Sequence, residues 1–146
     1  MSKRLIGDII ANKPAITVTA EITVRAAAQL MASKHIGALL IVQGDALVGI
    51  FTERDALNKV LAAGLDPEKT TLAQVMVTHL QTIRPDRPLA HALLMMADGG
   101  FRHVPVVDAA GKPLGMVSAR DALGADLVEL EHDIKRMEEL EGSIGY

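Results

Sequence analysis

The sequence contains no cysteine and no tryptophan, and its only aromatic residues are Phe51, Phe101 and Tyr146. Without cysteine there are no disulfides, thiolate metal sites or thiol nucleophiles, a composition compatible with a reducing compartment. So few aromatics leave almost no stacking platform for single-stranded nucleic acid. The net charge of −3 supplies no basic excess for a phosphate backbone. No apolar run approaches the roughly 18 residues of a membrane span. The opening Met1-Ser2-Lys3-Arg4-Leu5-Ile6-Gly7-Asp8 breaks its apolar stretch before a secretory core could follow the basic pair. The expectation is a cytoplasmic protein that engages neither nucleic acid nor membrane.

Motifs for catalysis are missing as well. There is no Gly-x-Ser-x-Gly, no phosphate-binding Walker loop and no acid pair facing an obvious electrophile. The five histidines (35, 79, 91, 103, 132) form no His-x-x-x-His pair, so no metal site is expected. A mononucleotide remains compatible with this composition, because aliphatic side chains and a few polar contacts can hold one.

What the chain does have is 49% apolar residues, enough for a packed core, and an internal repeat. Gly49-Ile50-Phe51-Thr52-Glu53-Arg54-Asp55-Ala56-Leu57 recurs as Gly115-Met116-Val117-Ser118-Ala119-Arg120-Asp121-Ala122-Leu123, an offset of 66 from Gly49 to Gly115. Upstream, Val24, Ala27, Ala28 and Met31 recur as Leu89, Ala92, Leu93 and Met96, an offset of 65 from Val24 to Leu89. Both sets step i, i+3, i+4, i+7, one face of a helix. The one-residue difference falls in the turns at Gly44-Asp45 and Ala109-Ala110-Gly111, where insertions are tolerated.

Each copy reads β-α-β-β-α. A short strand (near Ile16 to Val18, and near Gln81 to Ile83) precedes a helix (Thr23 to Lys34, and Pro88 to Asp98). Pro88 suits a first helical position and Gly99-Gly100 a stop. A hairpin follows, Ala38–Gln43 with Leu47–Phe51 and His103–Val107 with Leu114–Val117, rich in Val and Ile around Gly/Asp turns. The second helix starts at Thr52 or Ser118, a hydroxyl cap with Asp three residues on. The fold class is α/β (α+β), two tandem repeats related by a pseudo-twofold axis. We divide the chain at 1–70, 71–124 and 125–146, the last a C-terminal helix and tail. There Leu123, Leu127, Leu130, Ile134 and Met137 step by 4, 3, 4, 3, a heptad-like seam between charges. Either this helix docks on its own domain or it joins a homodimer, and we expect the homodimer.

The blocks Ile36–Val42 with Val48–Asp55, and Phe101–Asp108 with Gly115–Asp121, resemble the CBS motif family, paired as a Bateman module. The likeness runs from about Ile6 to Leu123 and is nearest to stand-alone bacterial CBS-pair proteins. It implies a regulatory module that binds AMP, ADP, ATP or NAD between the repeats and transmits ligand state to a partner protein, without catalysis. It also implies the site. One pocket would use Ser118, Arg120 and Asp121 for ribose and phosphate, with Ile16, Ile36, Gly37, Ala38 and Met116 around adenine. The other would use Thr52, Arg54 and Asp55, with Ile50, Gln81 and Phe101 near the base. Arg102 and His103 match positions that reach phosphates, and in the first repeat Gly37 and Ala38 stand where that basic pair would be, so the two pockets are not expected to be equivalent. A carboxylate offers acceptors to a ribose diol, and a helix amino end suits a phosphate. Thr-x-x-Asp before a helix is also an ordinary cap, and His103 an ordinary strand-end residue. A structural dimerisation module with vestigial pockets, or a binder of S-adenosylmethionine, stays open.

Overall fold

The computed structural model describes residues 4–142, with residues 122 and 125–129 by backbone alone. In the first repeat, α1 (Ile6–Ile10) leads to β1 (Thr17–Val18), α2 (Val24–Lys34), β2 (Ala38–Gln43) and β3 (Ala46–Thr52). A last helix, α3 (Glu53–Asp55), continues in π-helical register over Ala56–Leu61. The second repeat has α4 (Leu72–Val75), α5 (Leu89–Gly99), β4 (His103–Val107), β5 (Pro113–Ser118) and α6 (Ala119–Glu141). The fold class expected from the repeat is the one observed.

Local chemistry explains the helix ends. The Thr23 hydroxyl accepts from the Ala26 amide and caps α2, which stops where His35 turns left-handed at φ 55°. α5 stops at the equivalent position, where Gly100 takes φ 70°, a conformation glycine adopts without a side-chain penalty. Pro88 precedes α5 as its cap residue and is not its first helical residue. Along each helix the repeat-matched residues face inward: Val24, Ala27 and Met31 in α2, Leu89, Ala92 and Met96 in α5. Ala28, read as part of that stripe, is exposed and lines a cavity.

β2 pairs parallel with β1 and antiparallel with β3, and β4 pairs antiparallel with β5. The hairpins carry the same irregularity, between Ile41 and Val42 and between Val106 and Val107. The strand expected near Gln81–Ile83 does not form. Ile83 alone bridges Val106 in parallel, its amide donating to Pro105 O at 3.0 Å and its carbonyl accepting from Val107 at 3.0 Å. Proline is the reason. In the first repeat the Leu40 amide donates to Ile16 O at 3.3 Å. The matching donor in the second repeat is Pro105, which has no N–H, and Pro85 removes the next one along.

Sequence does not announce α1, and its destination crosses the repeats. Ile6 and Ile10 lie in the core of the second repeat, with Ile83, Leu89, Ala92, Met96, Val104, Val106 and Val117. The Ile6 and Gly7 amides donate to Arg87 O and Pro85 O, each at 2.9 Å. α4 does the converse. Leu72 and Val75 join Val24, Ala27, Met31, Leu39, Ile41, Phe51 and Val60 in the core of the first repeat. The Val77 backbone then pairs with Ile50 at 2.9 and 3.0 Å. A third cluster of Ala38, Leu40 and Ile50, flanked by Leu80 and Met116, seals the seam between repeats. α6 runs unbroken past Gly124, so the second repeat's closing helix and the tail are continuous. Leu127 of the expected seam has its side chain outside the described residues. Among the described residues no helix is long and apolar enough to cross a membrane.

Candidate functional site

Two cavities open along the seam, each walled by both repeats. The first, about 1380 Å³, is lined by Ile16, Ile36, Gly37 and Ala38 from one repeat and Met116, Ser118, Arg120 and Asp121 from the other, with Arg102 and His103 beside them. The second, about 620 Å³, is lined by Ile50, Thr52, Arg54 and Asp55 together with Gln81, Phe101, Arg102 and His103. Every residue expected at the nucleotide site therefore lines one of the two cavities, in the grouping that the CBS resemblance implies. Arg102 and His103 line both, as does Glu53.

The Thr/Ser-x-x-Asp segments form reciprocal caps. The Thr52 amide donates to Asp55 Oδ2 at 3.0 Å and the Asp55 amide to Thr52 Oγ1 at 3.1 Å. Ser118 and Asp121 repeat this at 3.0 and 3.1 Å. The helix-opening amides of Glu53 and Ala119 are also engaged, by Gly37 O and Arg102 O at 2.9 Å each. Two of the first three amides at each helix start are thus spent within the chain. One oxygen of each aspartate is committed to its cap, leaving Oδ1 as the oxygen turned to other partners. A carboxylate has about four lone-pair sites, so the cap and a diol can be served together.

The two Oδ1 atoms meet different cations. Asp55 Oδ1 lies 3.3 Å from Lys59 Nζ, one turn along its own helix. Asp121 Oδ1 accepts from Lys13 Nζ, which comes from the segment after α1. Lys13 lines the first cavity, and His79 lines the second. Sequence reading missed Lys13, Glu53 and His79. Nothing in the sequence around them marks these residues.

Burial alone would raise the Asp121 carboxyl, but the Lys13 and Ser118 hydrogen bonds outweigh it and hold the group below the ordinary carboxylate range. His103 is half-buried. That burial lowers its pKa below the usual imidazole value, against the raising influence of Glu53 and Asp121, while Arg102 lowers it further. Arg54 is drawn to the end of α5, donating to Gly100 O at 3.1 Å. Gly99 and Phe101 shape the second cavity together, since a Cβ on Gly99 would collide with the Phe101 ring.

Comparison with known proteins supplies the family. The profile described as CBS domain matches residues 6–62 and again 72–128. An uncharacterized protein of Methanopyrus kandleri is 31% identical over 89% of this chain and 68% of its own length. Of several eukaryotic relatives the chain spans far less, 60% of one and 13% of another. Among solved structures, a CBS-domain protein from Burkholderia ambifaria superposes with a TM-score of 0.79 at 32% identity, over 86% of this chain and 95% of that one. The CBS domain pair of protein MJ0100, solved with 5′-methylthioadenosine and S-adenosyl-L-methionine, gives a TM-score of 0.79 at 30% identity, over 88% and 99%. Two matched repeats, one short leading helix exchanged in each direction and two seam cavities accompany that match, and the chain belongs to the CBS-domain family, as a tandem CBS pair.

Proposed function

We propose that this CBS pair is a sensor of adenosine nucleotides, AMP, ADP, ATP or NAD, held in the two seam cavities. The observation that carries the reading is the doubled hydroxyl-x-x-aspartate cap. Each copy sits on a cavity walled by both repeats, with an arginine beside the aspartate. In each cavity an aspartate Oδ1 would accept from the ribose diol, and Arg54, Arg120 and Arg102 would meet phosphates. Ligand state would reach a regulated protein through the packing of the repeats, since a ligand shifts an equilibrium only by binding two states unequally. The module binds and does not turn over its ligand, and it works in the cytoplasm.

A second reading is an S-adenosyl ligand, favoured by the likeness to the MJ0100 pair. We further propose a homodimer that uses α6. Leu130, Ile134 and Met137 step by 4 and 3 along that helix and are 54%, 49% and 55% exposed, an apolar stripe with Glu131, Asp133, Lys135 and Arg136 between its members and Glu138 after them. A second copy of the same helix covers such a stripe by heptad packing.

The test of the ligand class is mass spectrometry of small molecules released from freshly purified protein, followed by titration with AMP and 2′-deoxy-AMP. An adenosine phosphate in the released fraction and weaker binding of the deoxy analogue are expected. Equal affinities would remove the diol from the reading, and S-adenosylmethionine binding in preference to AMP would favour the second.

A further inference from the structure

The two cavities differ most at the cation that faces the ribose acceptor. Asp55 is held by Lys59 from its own helix, outside the residues that line the second cavity. Asp121 is held by Lys13, which arrives from the other repeat's amino-terminal segment and itself lines the first cavity. The Lys13 backbone is fixed there, its amide donating to Ile10 O at 3.0 Å, and Ile10 is wedged against Gly115 of β5. Its side chain is 49% exposed and that of Asp121 only 21%, and both line the cavity that a ligand would enter. Because Asp121 Oδ2 already caps α6, a ribose diol and Lys13 contend for Oδ1.

We propose that Lys13 makes the first cavity selective for adenosines that carry a 5′-phosphate. A neutral nucleoside reaching Asp121 breaks an ion pair and returns nothing to the ammonium. A nucleotide reaching the same oxygen offers its phosphate to Lys13 in exchange, beside Arg102 and Arg120, which share the cavity wall. Charge-assisted pairs are the stronger class of hydrogen bond, so the exchange favours the nucleotide. The same three cations oppose a sulfonium, which disfavours S-adenosylmethionine here. The second cavity has no lysine among its described lining residues and lacks this exchange. The inference rests on adenosine ligands occupying the cavity.

Methionine methyl signals give a readout specific to this site, because Met31 and Met116 line the first cavity and, among the described residues, no methionine lines the second. The full chain, carbon-13 labelled at methionine methyls, is titrated with AMP and with adenosine. In the unaltered protein both move the Met31 and Met116 signals, AMP at lower concentration. Lys13→Met should weaken AMP by about ten- to hundredfold, the range for a lost charged hydrogen bond, while adenosine binds as well as before or better. Lys13→Arg should restore the preference for AMP. Lys13→Gln serves in the same comparison should the methionine variant fold poorly, as judged by its melting temperature. If the unaltered protein responds to neither ligand, the nucleotide reading fails and takes this inference with it. If it binds both but Lys13→Met weakens them equally, or changes neither, the nucleotide reading stands and the role of Lys13 is wrong.

Discussion

Gly115 lies flat against Ile10: a Cβ on the glycine would come 3.0 Å from the Cβ of the isoleucine. The counterpart contact sets Gly49, 66 positions before Gly115, against Met76, 66 positions after Ile10, where a Cβ would come 2.7 Å from Sδ. The glycine that opens each Gly-x-x-Thr/Ser-x-x-Asp segment is therefore a packing residue. It admits the helix that each repeat receives from across the seam, and so sets where the aspartate sits.

This exchange predicts unequal costs. Ile6 is fully buried in the second repeat's core, so Ile6→Ala should destabilise the chain by about 2–5 kcal/mol. A loose amino terminus would give less than about 0.5 kcal/mol. Gly115→Ala should cost roughly 1–3 kcal/mol, and more than Gly49→Ala, because Ile10 is branched at Cβ while the Met76 chain can swing aside. Urea denaturation midpoints of the three variants check the order.

The double duty of Asp121 separates two substitutions. Asp121→Asn keeps an oxygen for the Ser118 amide, so stability should change by less than about 1 kcal/mol while AMP binding weakens about ten- to hundredfold. Asp121→Ala should lose the same affinity and in addition roughly 1 kcal/mol of stability through the broken cap. Paired calorimetric and denaturant measurements test this. Equal stability of the two variants would mean that the cap contributes nothing.

His103 gives a pH dependence of definite sign. Its folded-state pKa is lowered from 6.5, so between that value and the folded one the unfolded chain binds more protons, and stability falls as pH drops. Asp121, also lowered in the folded state, contributes stability that is present above its unfolded pKa of 3.8 and is lost as pH falls through the folded value. The His103 window opens at 6.5 and that of Asp121 only at 3.8. Between about pH 7.5 and 5.5 the unaltered protein should lose stability more steeply than His103→Gln. Identical slopes would remove burial of His103 as a cause.

Tail pairing is tested by Leu130→Glu, which would set a carboxylate in the apolar stripe of α6. Burying it costs several kcal/mol unless the helices separate, so light scattering should show a dimer become a monomer. A monomeric unaltered chain would end the dimer proposal, and a variant that stays dimeric would move the contact away from α6.

Much of this was legible in the sequence because the repeat is local. The paired hairpins, the caps at Thr52 and Ser118, and the inward stripes of α2 and α5 all follow from spacing within about 40 residues. The two groups of cavity residues came from the resemblance to the CBS family, carried onto both copies of the repeat. What could not be read depended on distant contacts. Nothing near Ile6 says that it packs on Leu89, or that Lys13 reaches Asp121, 108 positions away. The lost strand at Gln81–Ile83 is a different case. Pro105 is visible in the sequence, but its effect appears only when the parallel partner of β4 is known.

The central claim is that adenosine nucleotides bind in the seam through Asp55 and Asp121. Calorimetric titration of AMP into the unaltered protein and into the Asp55→Asn, Asp121→Asn double variant tests it most directly. The account predicts saturable binding by the unaltered chain, weakened more than about tenfold in the double variant, with both proteins folded by circular dichroism. Saturable binding of equal affinity in the two, or no binding by the unaltered chain, would contradict it.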